Sequence, residues 1–93
     1  MHIALLQIEI YMPSCHSLKD KRSVMKRLIN LVRTQHNVAV AEIGNHEAWQ
    51  SAHLGLVTIN NEGEGTDRIL QRVIRDITNF DGCEIADFSI ERL

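Results

Sequence analysis

Ser17–Gln35, SLKDKRSVMKRLINLVRTQ, is the stretch that decides the fold. Leu18, Met25, Leu28, Ile29 and Val32 fall on one helical stripe, flanked by Val24 and Leu31. A helix with a single apolar side buries only that side, so it packs against one layer. Ser17 is a good N-cap, and Asp20 three residues on comes close to a capping box. The helix is predicted to end near Gln35–Asn37.

Working outward, His2–Met12 is rich in Ile and Leu and stops at Pro13, which predicts a strand. Pro13–His16 reads as a loop. Val38–Ile43 reads as a second strand, broken by Gly44-Asn45. His46–Ser51 is a connection of no clear type, and Ala52–Asn60 is a third strand. Asn61–Gly65 reads as a loop, with Thr66 as the cap of a second helix. Ile69, Leu70, Val73, Ile74, Ile77 and Phe80 form that helix's apolar face. Asp81-Gly82 makes a turn, and Cys83–Glu91 is a last strand.

The order is β-α-β-β-α-β. Two one-sided helices predict an α+β, two-layer sandwich: a four-stranded antiparallel sheet with both helices on one face, the ferredoxin-like arrangement. Ninety-three residues, 44% of them apolar, fit a single domain over 1–93. The other sheet face is left open, yet its strands carry apolar residues on both sides. Ala4, Leu6, Ile8 and Ile10 point one way; Ile3, Leu5, Gln7, Glu9 and Tyr11 point the other. Leu54 and Leu56 oppose Val57 and Ile59 in the third strand. A sheet with one wet face alternates more cleanly, so a second copy of the chain is expected to cover the open side as a homodimer.

Charge is placed unevenly. Ser17–Gln35 holds six cations against one acid, a net of +5, so the remainder of a chain of net −2 carries −7. Five of those cations, Lys19, Lys21, Arg22, Lys26 and Arg27, crowd the helix start, where the peptide dipoles already place positive charge. A sequence that breaks a local rule in this way is holding charge for something outside the fold. Lys19, Arg22, Lys26 and Arg33 fall within roughly 60° of one another and line about 20 Å of helix. Arg68, Arg72 and Arg75 share a face of the second helix. The two rows together are the candidate anion- or RNA-binding site, framing a cationic groove if the helices lie side by side. The alternative is a solvated face whose charges pair with Asp20, Asp67, Asp76 or other acids of the chain.

Base stacking in the manner of RNA-recognition motifs needs aromatics on the central strands. Tyr11, at a strand end, is the only one there, so contact with RNA is expected from the helices, through shape and phosphate. Glu42, His46, Trp49 and Gln50 form a polar cluster of unknown role, with Glu47, His53 and His36 nearby. Its spacing matches no zinc signature, because a His-Glu-x-x-His motif would need His where Gln50 stands. No metal and no cofactor is expected. Trp49 is expected to plug a gap at the sheet edge. Cys15 reads as a surface-loop thiol, which cations near a helix N-terminus would activate. No base or orienting group completes a nucleophilic set, and catalytic residues are expected to be none. Met12–His16 also lacks the Gly of a phosphate-cradling hydrolase loop. With two cysteines, no basic leader and no long apolar run, the chain is expected to be cytoplasmic and off the membrane.

The blocks Ser17-Leu18-Lys19-x-Lys21-Arg22-Ser23-Val24, Asn37–Ile43 and Trp49-Gln50-x-Ala52-x-Leu54-Gly55 together resemble the YlxP-like family of small bacterial proteins of unknown function. The resemblance covers nearly the whole chain and implies a ferredoxin-like fold. It places the family's basic block on Lys19, Lys21 and Arg22, its Ala-Glu pair on Ala41 and Glu42, and its Trp-Gln pair on Trp49 and Gln50. Ser51 departs from an Arg common in the family, and Cys15-His16 from small residues. Family genes often neighbour those of translation initiation and ribosome maturation, which implies a ribosome- or RNA-linked role. The expectation is therefore a non-enzymatic domain meeting RNA or a ribonucleoprotein. The alternative is a small-molecule-binding regulatory module or a homo-oligomeric interaction domain.

Overall fold

The computed structural model describes all 93 residues. The elements are β1 (His2–Tyr11), α1 (Leu18–Gln35), β2 (Ala39–Gly44), β3 (Ser51–Asn60), α2 (Gly63–Thr78) and β4 (Glu84–Arg92). The sheet order is β2-β3-β1-β4 and every neighbouring pair is antiparallel. This is the two-layer α+β, ferredoxin-like fold that the helix stripes predict.

The alternation in β1 and β3 sorts the two sheet faces. Ala4, Leu6, Ile8, Ile10, Ala52, Leu54 and Leu56 point at the helices and are at most 1% exposed. They meet Met25, Leu28 and Val32 of α1 and Leu70, Val73 and Ile77 of α2 in one core. β1 and β3 pair in register from His2↔Asn60 to Tyr11↔Ser51. Register slips twice, in β4 opposite Glu9/Ile10 and in β2 between Glu42 and Gly44. The first slip skips Ala86, so that Ile85 and Phe88, three residues apart, pair with Ile10 and Ile8 of the same β1 face.

α1 begins as the sequence predicts and α2 does not. The N-cap of α1 is Ser17, whose hydroxyl accepts from the Asp20 N–H at 3.0 Å. Asp20 in turn accepts from the His16 N–H at 3.0 Å, so the capping box closes one residue early. α2, by contrast, starts at Gly63 and not after Thr66, so Gly63-Glu64-Gly65 is helix and not loop. Asn60 is responsible: its Oδ1 accepts from the Glu62 N–H at 2.9 Å and turns the chain early. Its amide then lies where a Cβ on residue 65 would stand, a place only glycine leaves free. Thr66 is buried and donates to the Gly63 carbonyl at 2.7 Å.

α1 lies over β2, and α2 over β1, β3 and β4. His36 Nε2 meets Asp76 Oδ2 at 2.6 Å, and the Arg27 guanidinium stands 5.8 Å from the Phe80 ring centroid. Both contacts mark the side of α1 that faces α2. No helix is long and apolar enough to cross a membrane.

Candidate nucleic-acid interface

The helical spacing that buries Met25, Leu28 and Val32 turns Lys19, Arg22, Lys26 and Arg33 outward, and all four are exposed. They lie on the β2 side of α1. Arg33 Nη2 donates to the Val40 carbonyl of β2 at 3.2 Å. Arg22 and Lys26 line a concavity of about 310 Å³ together with Glu42, His46 and Glu47. A second, of about 750 Å³, runs along α1 alone past Ser23, Lys26, Arg27, Asn30 and Arg33.

The row on α2 is not brought alongside. Arg68, Arg72 and Arg75 are exposed on the outer side of α2, while the α1 row looks away from α2. The structure therefore holds two separate basic strips and no shared groove. Arg68 stands 3.8 Å from Glu64 one turn back, with both side chains in water, a pairing worth little.

The three aspartates nearest these strips in sequence are otherwise engaged. Asp20 accepts from backbone at the α1 cap, Asp67 pairs with Arg92, and Asp76 pairs with His36. The fourth ion pair joins Lys21 to Glu42. None of the four pairs involves Lys19, Arg22, Lys26 or Arg33.

Lys21 separates from the basic run altogether. It is 2% exposed, its ammonium 3.1 Å from Glu42 Oε2 and 2.6 Å from the Asn45 carbonyl. Glu42 reaches it because Glu42 pairs with Leu54 and so shares the helix-side face of β2 with Val40. Asn45 reaches it by taking φ of 61°, the left-handed conformation Asn tolerates. Oε2 is buried and makes no well-aligned hydrogen bond, so the ammonium holds it by charge. The signal was present in the spacing: Lys21, Met25, Leu28 and Val32 lie on one stripe. The run of neighbouring cations hid it.

The polar cluster is only partly assembled. His46 Nε2 lies 3.1 Å from the Glu42 carbonyl, while His53 faces the open side of the sheet, 3.2 Å from Gln7 Oε1. His36 is engaged with Asp76, and no three His, Cys, Asp or Glu side chains converge as metal ligands. Gln50 is structural: its Nε2 donates to the carbonyls of Pro13 and Cys15, and its own carbonyl accepts from the Met12 N–H at 2.8 Å. Trp49 does not plug the sheet edge. It is 53% exposed, in a cleft of about 600 Å³ with Tyr11, His16, Glu47 and Ser51.

Cys15 is not a surface thiol, because Gln50 folds its loop inward and leaves it 3% exposed. Burial pushes its pKa up, with the Asp20 charge adding to the rise and Lys21 opposing it. Burial likewise pushes the Cys83 thiol up to about 11, and Cys15 itself adds to that rise. Neither is an activated nucleophile.

The fold defines a small ferredoxin-like α+β domain, and its exposed cations Lys19, Arg22, Lys26 and Arg33 join none of its four ion pairs. The chain belongs to the family described as "Protein of unknown function (DUF503)", whose match spans residues 3–90. It is 33% identical over 82 residues to the Bacillus subtilis (strain 168) "Uncharacterized protein YlxP", covering 88% of this chain and 89% of that one. Among solved structures it is similar to the "De novo designed protein Foldit4", with a TM-score of 0.53 and 16% identity over 98% of this chain and 96% of that one. That likeness concerns the fold alone.

Proposed function

We propose that this protein is a non-enzymatic binding domain that uses Lys19, Arg22, Lys26 and Arg33 of α1 to hold structured RNA, most simply within a ribonucleoprotein. One observation supports the reading above the others. Asp20, Asp67 and Asp76, the acids nearest the basic rows in sequence, are each committed elsewhere, and Lys19, Arg22, Lys26 and Arg33 enter none of the four ion pairs, although Glu42 and Glu47 share a concavity with Arg22 and Lys26. Cations on the surface of a chain whose remainder is acidic hold an oriented field, and phosphate is the partner that Lys and Arg rows meet in sequence-independent RNA contact. The strip on α2 is a second, weaker contact. The test is retention of ribosomal RNA by the wild type and by the Lys19→Ala/Arg22→Ala/Lys26→Ala variant. The variant is expected to lose most binding at low salt. Equal retention at low and at high salt would end the proposal. If RNA is not retained but one metabolite raises the melting temperature, the small-molecule module is the better reading.

The open sheet face supports a second element of the reading, self-association. Ile43, Val57 and Ile59 are 48%, 37% and 47% exposed there, and Ile43 lies across Gly55. A face of strands about 34 Å long and about 14 Å between outer strand axes offers about 500 Å². Two copies face to face remove about 1,000 Å², at the lower bound for a specific interface. The expected homodimer is therefore weak.

A further inference from the structure

We propose that the open cleft at the head of α1 takes an unpaired nucleobase of the bound RNA, stacked on Trp49 beside Tyr11. The inference rests on the reading of α1 as an RNA-binding face and deepens it from phosphate contact to recognition of a single-stranded element. The chain has four aromatic residues. Two of them, Trp49 at 53% and Tyr11 at 42% exposed, stand in the same cleft. Single exposed apolar side chains need no explanation, but two large rings lining one shallow, open depression of about 600 Å³ offer a flat apolar surface there.

The cleft is held in shape. The Met12 N–H donates to the Gln50 carbonyl, and Gln50 Nε2 donates to the carbonyls of Pro13 and Cys15. These bonds tie the backbone of the loop carrying Trp49 to the segment that runs from Tyr11 into α1, so the backbones that carry the two rings are held together before anything binds. The cleft is also continuous with the cations. His16, in its wall, immediately precedes the Ser17 cap. Glu47 lines both this cleft and the concavity of Arg22 and Lys26. A strand whose phosphates lie on Lys19, Arg22 and Lys26 therefore has a π-surface within reach for its next free base. Flat heteroaromatic rings stack on Trp and Tyr whatever their sequence. Glu47 repels phosphate but accepts from an exocyclic amine, which favours adenine or cytosine over uracil.

Trp49 is the only tryptophan, so its fluorescence reports this cleft alone. The experiment compares a blunt-ended RNA duplex with the same duplex carrying a short single-stranded adenosine overhang. Affinity is read by anisotropy of the labelled RNA and contact by Trp49 emission. The overhang is expected to quench Trp49 and to tighten binding by about 5- to 150-fold per stacked base. Trp49→Leu is expected to abolish that gain while leaving the blunt duplex bound as before, and Trp49→Phe to restore part of it. If both RNAs bind equally and the emission does not move, stacking is refuted while the α1 reading stands. If the wild type binds neither RNA, the α1 reading fails and the stacking goes with it.

Discussion

Lys21 and Lys19 are two residues apart and of the same type, yet one is interior and the other lies in water. The difference is the helix period: Lys21 lies on the stripe of Met25, Leu28 and Val32, and Lys19 does not. Breaking a buried pair strands its partner at about 3–5 kcal/mol. Because Glu42 keeps a quarter of its surface in water, Lys21→Ala is expected at the low end, about 3 kcal/mol by urea unfolding. Lys21→Met/Glu42→Leu is expected to recover most of that loss. A Lys21→Ala cost no larger than that of Lys19→Ala would show that the pair does not hold the loop. The thiols give a second prediction. Below pH 9 Cys83 is protonated in both folded and unfolded chains, so it adds no pH dependence. Between 9 and about 11 the unfolded chain loses this proton while the folded chain keeps it. Stability therefore falls as pH rises through that window and levels off above it. Cys83→Ala is expected to have a shallower decline, measured as the melting temperature across pH 8.5–11.

At the scale of elements, the helices were legible in the sequence because each carries one apolar stripe, and the strands because Ile, Leu and Val bound them between turn residues. The start of α2 was not legible. Glycines flanking Glu64 read as a loop when taken alone, and only Asn60, whose side chain caps the turn and occupies the space over Gly65, makes them helical. Gly→Ala inside a helix ordinarily stabilises by about 0.5–1 kcal/mol. Gly65→Ala is expected to destabilise instead, because the new methyl drives the Asn60 amide off the Glu62 N–H. Thermal denaturation decides it: a raised melting temperature would show that Asn60 does not set this end. The inward turn of Cys15 was hidden for a similar reason. It depends on Gln50, 35 residues away, whose amide bonds the loop carbonyls.

For the whole molecule, the layer architecture followed from counting buried faces: two one-sided helices need one sheet. The relative placement of the basic rows did not follow, since it depends on which way α1 is rolled on the sheet. Arg27 and His36 face α2, so the row of Lys19 to Arg33 faces β2, and the charges form two strips. The open sheet face predicts a concentration-dependent dimer in sedimentation velocity, abolished by Val57→Lys/Ile59→Lys; a wild type monomeric at every concentration would leave that face without a second copy. The central claim is that the α1 strip holds phosphate. Its most direct measure is the dependence of RNA affinity on salt. A plot of log K against log salt concentration for the wild type is expected to be steep, and to flatten by about one unit for each of Lys19, Arg22 and Lys26 replaced by Ala. A slope identical in wild type and triple variant would place the RNA elsewhere on the molecule and contradict the account.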